Sequence, residues 1–208
     1  MSTVLVITSS ALGASSVSNQ LVQDAVAGLG SQDTNVITRD LGNSPIPHLN
    51  SDSAAALRGA APANDAQATA QALSNELIAE LKAADTVIIG SPMYNFGIPS
   101  TLKAWFDHVL RAGITLRYTE TGPVGLLQGK RAIVIESRGG FFSDGAAKAM
   151  DSQERHLRTL LGFIGISDVT FIRAEKLAFG ADARAQSIDA ARAQLGKVVV
   201  EREYLRAA

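Results

Sequence analysis

Five short runs along the chain are rich in apolar residues, and between them lie stretches whose apolar positions recur every three or four residues. The runs are Thr3 to Thr8, Asn35 to Arg39, Thr86 to Gly90, Arg131 to Ser137 and Asp168 to Ala174. Most are too continuously apolar to leave one face in water, so they predict buried parallel strands. The 3.6-residue pattern predicts helices over roughly Asn19 to Leu29, Ala66 to Ala84, Ser100 to Arg111, Ser152 to Gly165 and Ala181 to Leu205. Strand alternating with helix implies a doubly wound α/β sheet in one domain spanning residues 1–208.

Five strands in that arrangement favour the flavodoxin-like order 2-1-3-4-5, with helices on both faces. A ligand then binds at the carboxyl ends of the strands, beside the switch between strands 1 and 3. Gly42 to Ala63, with Pro45, Pro47 and Pro62, predicts a long connection after strand 2 of the kind that covers a site or a dimer partner. The alanine-rich Ala54 to Ala72 predicts helix with surface loop.

Composition narrows the partners. With 208 residues, 46% of them hydrophobic and 19% charged, the chain suits one ordinary soluble globule. A formal net charge of −1 without a dense Lys/Arg block excludes the broad positive surface that nucleic acid or anionic lipid demands. The absence of cysteine removes disulfides, thiolate nucleophiles and Cys-ligated metal centres. The first basic residue is Arg39 and the opening apolar run Val4 to Ile7 is short, so no targeting peptide and no membrane span are expected; the expectation is a cytoplasmic protein.

Three loops carry the candidate chemistry. After strand 1 comes Ser9 to Asn19, with five serines opening a helix. Hydroxyls and unsatisfied amides at a helix N-terminus make a phosphate cradle, whereas capping alone needs one serine. No Lys or Arg accompanies the loop, so neutral donors are expected to hold a phosphate monoester. The Gly-x-Gly-x-x-Gly spacing of a dinucleotide fold is absent here, and Gly125 to Lys130 misses the Walker A spacing and precedes a strand. Strand 3 runs into Ser91 to Pro99, where two prolines stiffen the loop, Gly97 is expected to permit an unusual dihedral, and Tyr94 and Phe96 offer ring faces. Strand 4 leads into Glu136 to Phe142, whose Gly139-Gly140 pair lets main-chain amides approach a planar ligand. Four of the chain's eleven aromatics (Tyr94, Phe96, Phe141 and Phe142) fall in two of these loops.

Ser10 with Ser16-Val17-Ser18, then Met93-Tyr94-Asn95-Phe96, then Ser137-Arg138-Gly139-Gly140 resembles the FMN-dependent NADH-azoreductases, quinone and azo-compound reductases of the flavodoxin-like superfamily. The resemblance extends to Ile98 to Asp107 and Leu161 to Gly165 and covers nearly the whole chain. It implies FMN held at those twelve positions, NADH or NADPH as reductant, quinones and azo compounds as acceptors, ping-pong turnover, and a homodimer with sites at the interface. Ser10, Ser16, Val17 and Ser18 would hold the phosphate, Met93 to Phe96 would line the ring, and Ser137 to Gly140 would aim donors at its pyrimidine end. The ring carries the chemistry, so no protein catalytic residue is assigned. Tyr118 and Phe96 are the candidates for the substrate face.

The three histidines support no metal site. His108 adjoins Asp107, but neighbouring helix residues point apart, so it is expected to be packed or solvated. His156 is expected on an exposed helix face and His48 in the long connection, and neither His-x-x-x-His nor Glu-x-x-His spacing occurs. Two other classes stay open: a flavodoxin-type electron carrier without its own small-molecule turnover, and a flavin-free interaction module. The near-neutral charge speaks against the carrier, which docks its redox partners through acidic excess.

Overall fold

The computed structural model describes residues 2–29, 34–59 and 61–207, with side chains described through residue 198. Five parallel strands form the main sheet: β1 (Ser2–Thr8), β2 (Thr34–Asp40), β3 (Thr86–Pro92), and two later strands, Arg131–Ser137 and Asp168–Ala174. Between β3 and these lies a hairpin, β4 (Leu116–Thr119) paired antiparallel with β5 (Gly122–Gly125), so the later strands are β6 and β7. The sheet order β2-β1-β3-β6-β7 is the doubly wound order expected. β3 runs two residues beyond its apolar core, because Ser91 and Pro92 keep their register with Glu136 and Ser137. This brings the second and third loops out of the sheet side by side.

Strand residues alternate between two cores, as a period of two requires. Leu5, Ile7, Val87, Ile89 and Val134 face α3 (Asp65–Ala83), α4 (Ser100–Val109) and α5 (Gln153–Phe163), meeting Leu77, Leu81, Trp105, Phe106, Leu157 and Leu161. Val4, Val6, Ile88, Ile133 and Ile135 face α1 (Val17–Ala27) and α6 (Ala181–Ala207), meeting Leu21, Val22, Ala191 and Leu195. β2 lies at the sheet edge and is only partly covered, which is why its pattern is the least apolar of the five.

Helix α1 starts two residues earlier than its apolar pattern, since Ser16 caps it and accepts the Asn19 N–H. The alanine-rich segment divides into α2 (Ser51–Ala56), opened by an Asn50–Ser53 capping box, and α3, capped by Asn64. The long connection is pinned from beneath: His108, 1% exposed, donates from Nε2 to the Pro47 carbonyl at 3.1 Å. The β4–β5 hairpin is not expected from the sequence pattern, because each strand is four residues long and β5 is Gly-Pro-Val-Gly, poor in strand formers. It is locked in place by a contact only glycine permits: a Cβ on Gly125 would lie 2.0 Å from the Gly165 nitrogen.

Candidate functional site

The three loops converge at the carboxyl ends of β1, β3 and β6. Tyr94 joins the first two: its hydroxyl accepts the Ala11 N–H at 3.0 Å and sits 3.2 Å from Ser10 Oγ. The Met93 N–H donates to the Ser137 carbonyl at 2.9 Å and joins the second to the third. Between them lies a cavity of about 170 Å³ lined by Ser10, Ser16, Val17, Met93, Tyr94, Ser137, Arg138 and Gly139. Ser18, Asn95, Phe96 and Gly140 flank this cavity without lining it.

Unused main-chain donors stand in and beside its walls. The N–H groups of Val17 and Ser18 open α1 and have no carbonyl within their helix, so donors and helix dipole point the same way. The buried hydroxyls of Ser16 and Ser18 lie 3.0 Å apart. Across the cavity, the amides of Gly139 and Gly140 donate to no group among the described residues. An anion at one end and a hydrogen-bonding ring edge at the other would complete this set.

The second loop departs from expectation. The left-handed residues are Asn95 (φ 48°) and Phe96 (φ 72°), while Gly97 is not in that region. Tyr94 and Gly97 exchange both main-chain hydrogen bonds, at 3.0 and 3.1 Å, which closes a two-residue turn whose two central residues both need positive φ. Asn tolerates that region and Phe does not, so the backbone is strained at Phe96. Its half-exposed ring meets Phe142 edge-on at 6.0 Å. The same Phe142 ring explains Gly140, where a Cβ would approach it to 2.8 Å.

Arg138 also differs. Its side chain is fully buried and committed to protein partners: Glu136 at 2.8 Å, Asp151 at 3.0 Å, Glu175 at 3.2 Å and the Gln153 amide oxygen at 3.0 Å. It therefore offers the site no free guanidinium donor, and the expected donor role falls to the neighbouring amides. The cluster braces the site instead. Glu175 accepts the Phe142 N–H at 2.9 Å, and Gln153 donates to the Ser91 carbonyl at 2.8 Å, so the third loop, the end of β3 and the start of α5 are clamped together. Burial pushes the Glu136 carboxyl up to about 8, against the pull of Arg138, and its Oε1 has no partner. Burial disfavours the charge on Arg138, but the surrounding carboxylates raise its pKa overall.

A cation does border the cavity, contrary to expectation: Arg184, on the first turn of α6. Nothing local betrays it, because it reaches the serine loop only through the fold. Glu136 was the more legible omission, a carboxylate at the end of an otherwise apolar strand. Tyr118 stands on the hairpin, 70% exposed and outside the cavity lining. His156 is half-buried, not exposed as expected, and burial together with Lys103 lowers its pKa. No group of three or more His, Asp or Glu suited to a metal occurs among the described residues. No helix of the described residues is long and apolar enough to cross a membrane.

A family model for the flavodoxin-like fold matches residues 2–199. An FMN-dependent NADH:quinone oxidoreductase of Hyphomonas neptunium is 54% identical over 200 residues, covering 95% of this chain and 96% of the relative. One from Ralstonia nicotianae is 50% identical, covering 94% and 96%. The crystal structure of an FMN-dependent NADH-azoreductase from Bacillus anthracis in complex with FMN superposes with a TM-score of 0.88 at 25% identity, covering 97% of this chain and 99% of that one.

Proposed function

The chain belongs to the flavodoxin-like family of FMN-dependent NADH:quinone oxidoreductases, and on that premise we propose that it binds FMN in the three-loop cavity and passes electrons from NADH to quinones and azo compounds by ping-pong turnover. Bound there, FMN would supply two-electron redox chemistry that no side chain of this protein can. The observation that carries the reading is the gathering of unpaired main-chain amides at one cavity: those of Val17 and Ser18, beside the mutually bonded Ser16 and Ser18 hydroxyls, for a phosphate, and those of Gly139 and Gly140 for the pyrimidine edge. A phosphate needs such donors preorganised and dry, and the Arg138 cluster holds the third loop in place for the ring.

Turnover in two separate halves is part of the proposal. Phe96 and the half-buried Phe142 form an aromatic flank beside the cavity that reductant and acceptor would occupy in turn. Complete cleavage of an azo bond would take two rounds. A homodimer is part of the proposal, supported by apolar side chains exposed at Leu12, Phe96, Phe141, Met150 and Phe179. Tyr118 on its exposed hairpin would serve a substrate face only if the partner subunit met it. The test is anaerobic mixing of FMN-loaded protein with NADH and then with a quinone, watching flavin absorbance. Bleaching followed by recovery is expected. A flavin that NADH does not bleach would overturn the enzyme reading and leave the electron carrier, and ternary-complex kinetics would overturn ping-pong turnover.

A further inference from the structure

Arg184 borders the same cavity as Ser16 and Val17, the residues that open α1. We infer that its guanidinium is the cationic partner of the cofactor's terminal phosphate and makes the site discriminate FMN from flavins lacking one, an inference that rests on the FMN reading above.

The side chain is uncommitted, whereas five other arginines, among them Arg138 at the same cavity, are spent on carboxylates. Arg39 pairs with Glu76 and Glu80, Arg138 with three carboxylates, Arg158 and Arg173 with Glu154, and Arg192 with Asp24. Arg184 makes no side-chain hydrogen bond or ion pair among the described residues. It is exposed, so its charge need not be neutralised by the protein, and it stands at a cavity whose other donors are neutral.

Its position is fixed from both sides. The segment leading into α6 is stitched to the third loop by three main-chain bonds: Lys176 N–H to Gly140 at 2.7 Å, Leu177 to Arg138 at 3.2 Å and Ala178 to Gly139 at 3.0 Å. Further along α6, Ala191 and Leu195 pack in the core that α1 shares, and Arg192 donates to Asp24 of α1 at 2.8 Å. The segment before α6 is thus held against the glycine pair and the body of α6 against α1, with Arg184 between these anchors at the cavity. A phosphate dianion cradled by hydroxyls and amides would retain charge facing outward, where a planar guanidinium makes paired bonds.

The consequence is a charge-dependent preference. Because Arg184 is solvent-exposed, its contribution is modest and screened by salt. The flavin-free full chain of wild type and of Arg184→Gln is titrated with FMN and with riboflavin by flavin fluorescence, at low and high ionic strength. For R184Q, FMN should bind about two- to fivefold more weakly at low salt, with the gap narrowing at high salt and riboflavin affinity unchanged. Arg184→Lys should recover part of the FMN affinity. FMN affinity unchanged in R184Q overturns the inference alone, as does an equal loss for both flavins, which would mark a structural role. A wild-type chain that takes up neither flavin overturns the FMN reading and this inference with it.

Discussion

Replacing Glu136 by Gln should strip a pH dependence from the protein's stability. The carboxylate is wholly buried, one oxygen 2.8 Å from Arg138 and the other without a partner. Burial raises its pKa from an ordinary 4.5 to about 8; Glu154 and Asp151 push the same way, while Arg138 and Arg173 oppose. Between those values the folded protein keeps a proton that the unfolded chain releases. The stabilisation is therefore complete below pH 4.5 and is lost as pH rises through about 8. At no more than about 1.4 kcal/mol per pH unit, the loss between pH 5.5 and 7.5 reaches at most roughly 2–3 kcal/mol. Gln keeps the shape and cannot ionise, so the wild-type advantage over Glu136→Gln should shrink by that amount across the window. Urea unfolding of both proteins at four pH values from about 5.5 to 8.5 measures it. Subtracting the two curves cancels His108, whose lowered pKa adds stability as pH rises through 6.5. A difference that stays constant with pH would refute the reasoning and mean that Arg138 keeps Glu136 ionised throughout.

Two further substitutions probe the joints of the site. Gly125→Ala drives a Cβ to 2.0 Å from main chain at Gly165, where neither side can yield cheaply, and should destabilise by about 1–3 kcal/mol. A melting temperature within about 1 °C of wild type would contradict that, given roughly 2–4 °C per kcal/mol at this chain length. Tyr94→Phe removes the acceptor of the Ala11 N–H and the partner of Ser10 Oγ, at a cost of about 1 kcal/mol. It should speed exchange of the Ala11 amide and weaken FMN binding severalfold; unaltered exchange would show that the two loops hold together without it.

The strands were legible because burial on both faces demands continuous apolar runs: β6 and β7 have the bounds the pattern predicts, and the sheet order follows from strand and helix alternation. The loops were legible as residue types. Their geometry was not, because it is set by partners distant in the chain. Gly97 looked like the flexible point of its loop, yet the reciprocal Tyr94–Gly97 bonds put the left-handed conformation on Asn95 and Phe96. Arg138 looked like a donor for a ligand, but Glu175 and Asp151 claim it. Arg184 and the hairpin carry no local signal, since one is an ordinary helix residue and the other is held by a glycine contact across the fold.

The conformation of Phe96 bears on how this pocket can be redesigned. At φ 72° every L-residue bearing a Cβ inherits a backbone penalty, so an alanine at this position tests loss of the ring but not release of the main chain. Glycine would report on both at once and asparagine in part, since its side chain tolerates this region better than most, and β-branched replacements would be purged for reasons unrelated to what they touch. Libraries that vary position 96 to widen acceptor range will therefore sample a narrower alphabet than its exposure suggests.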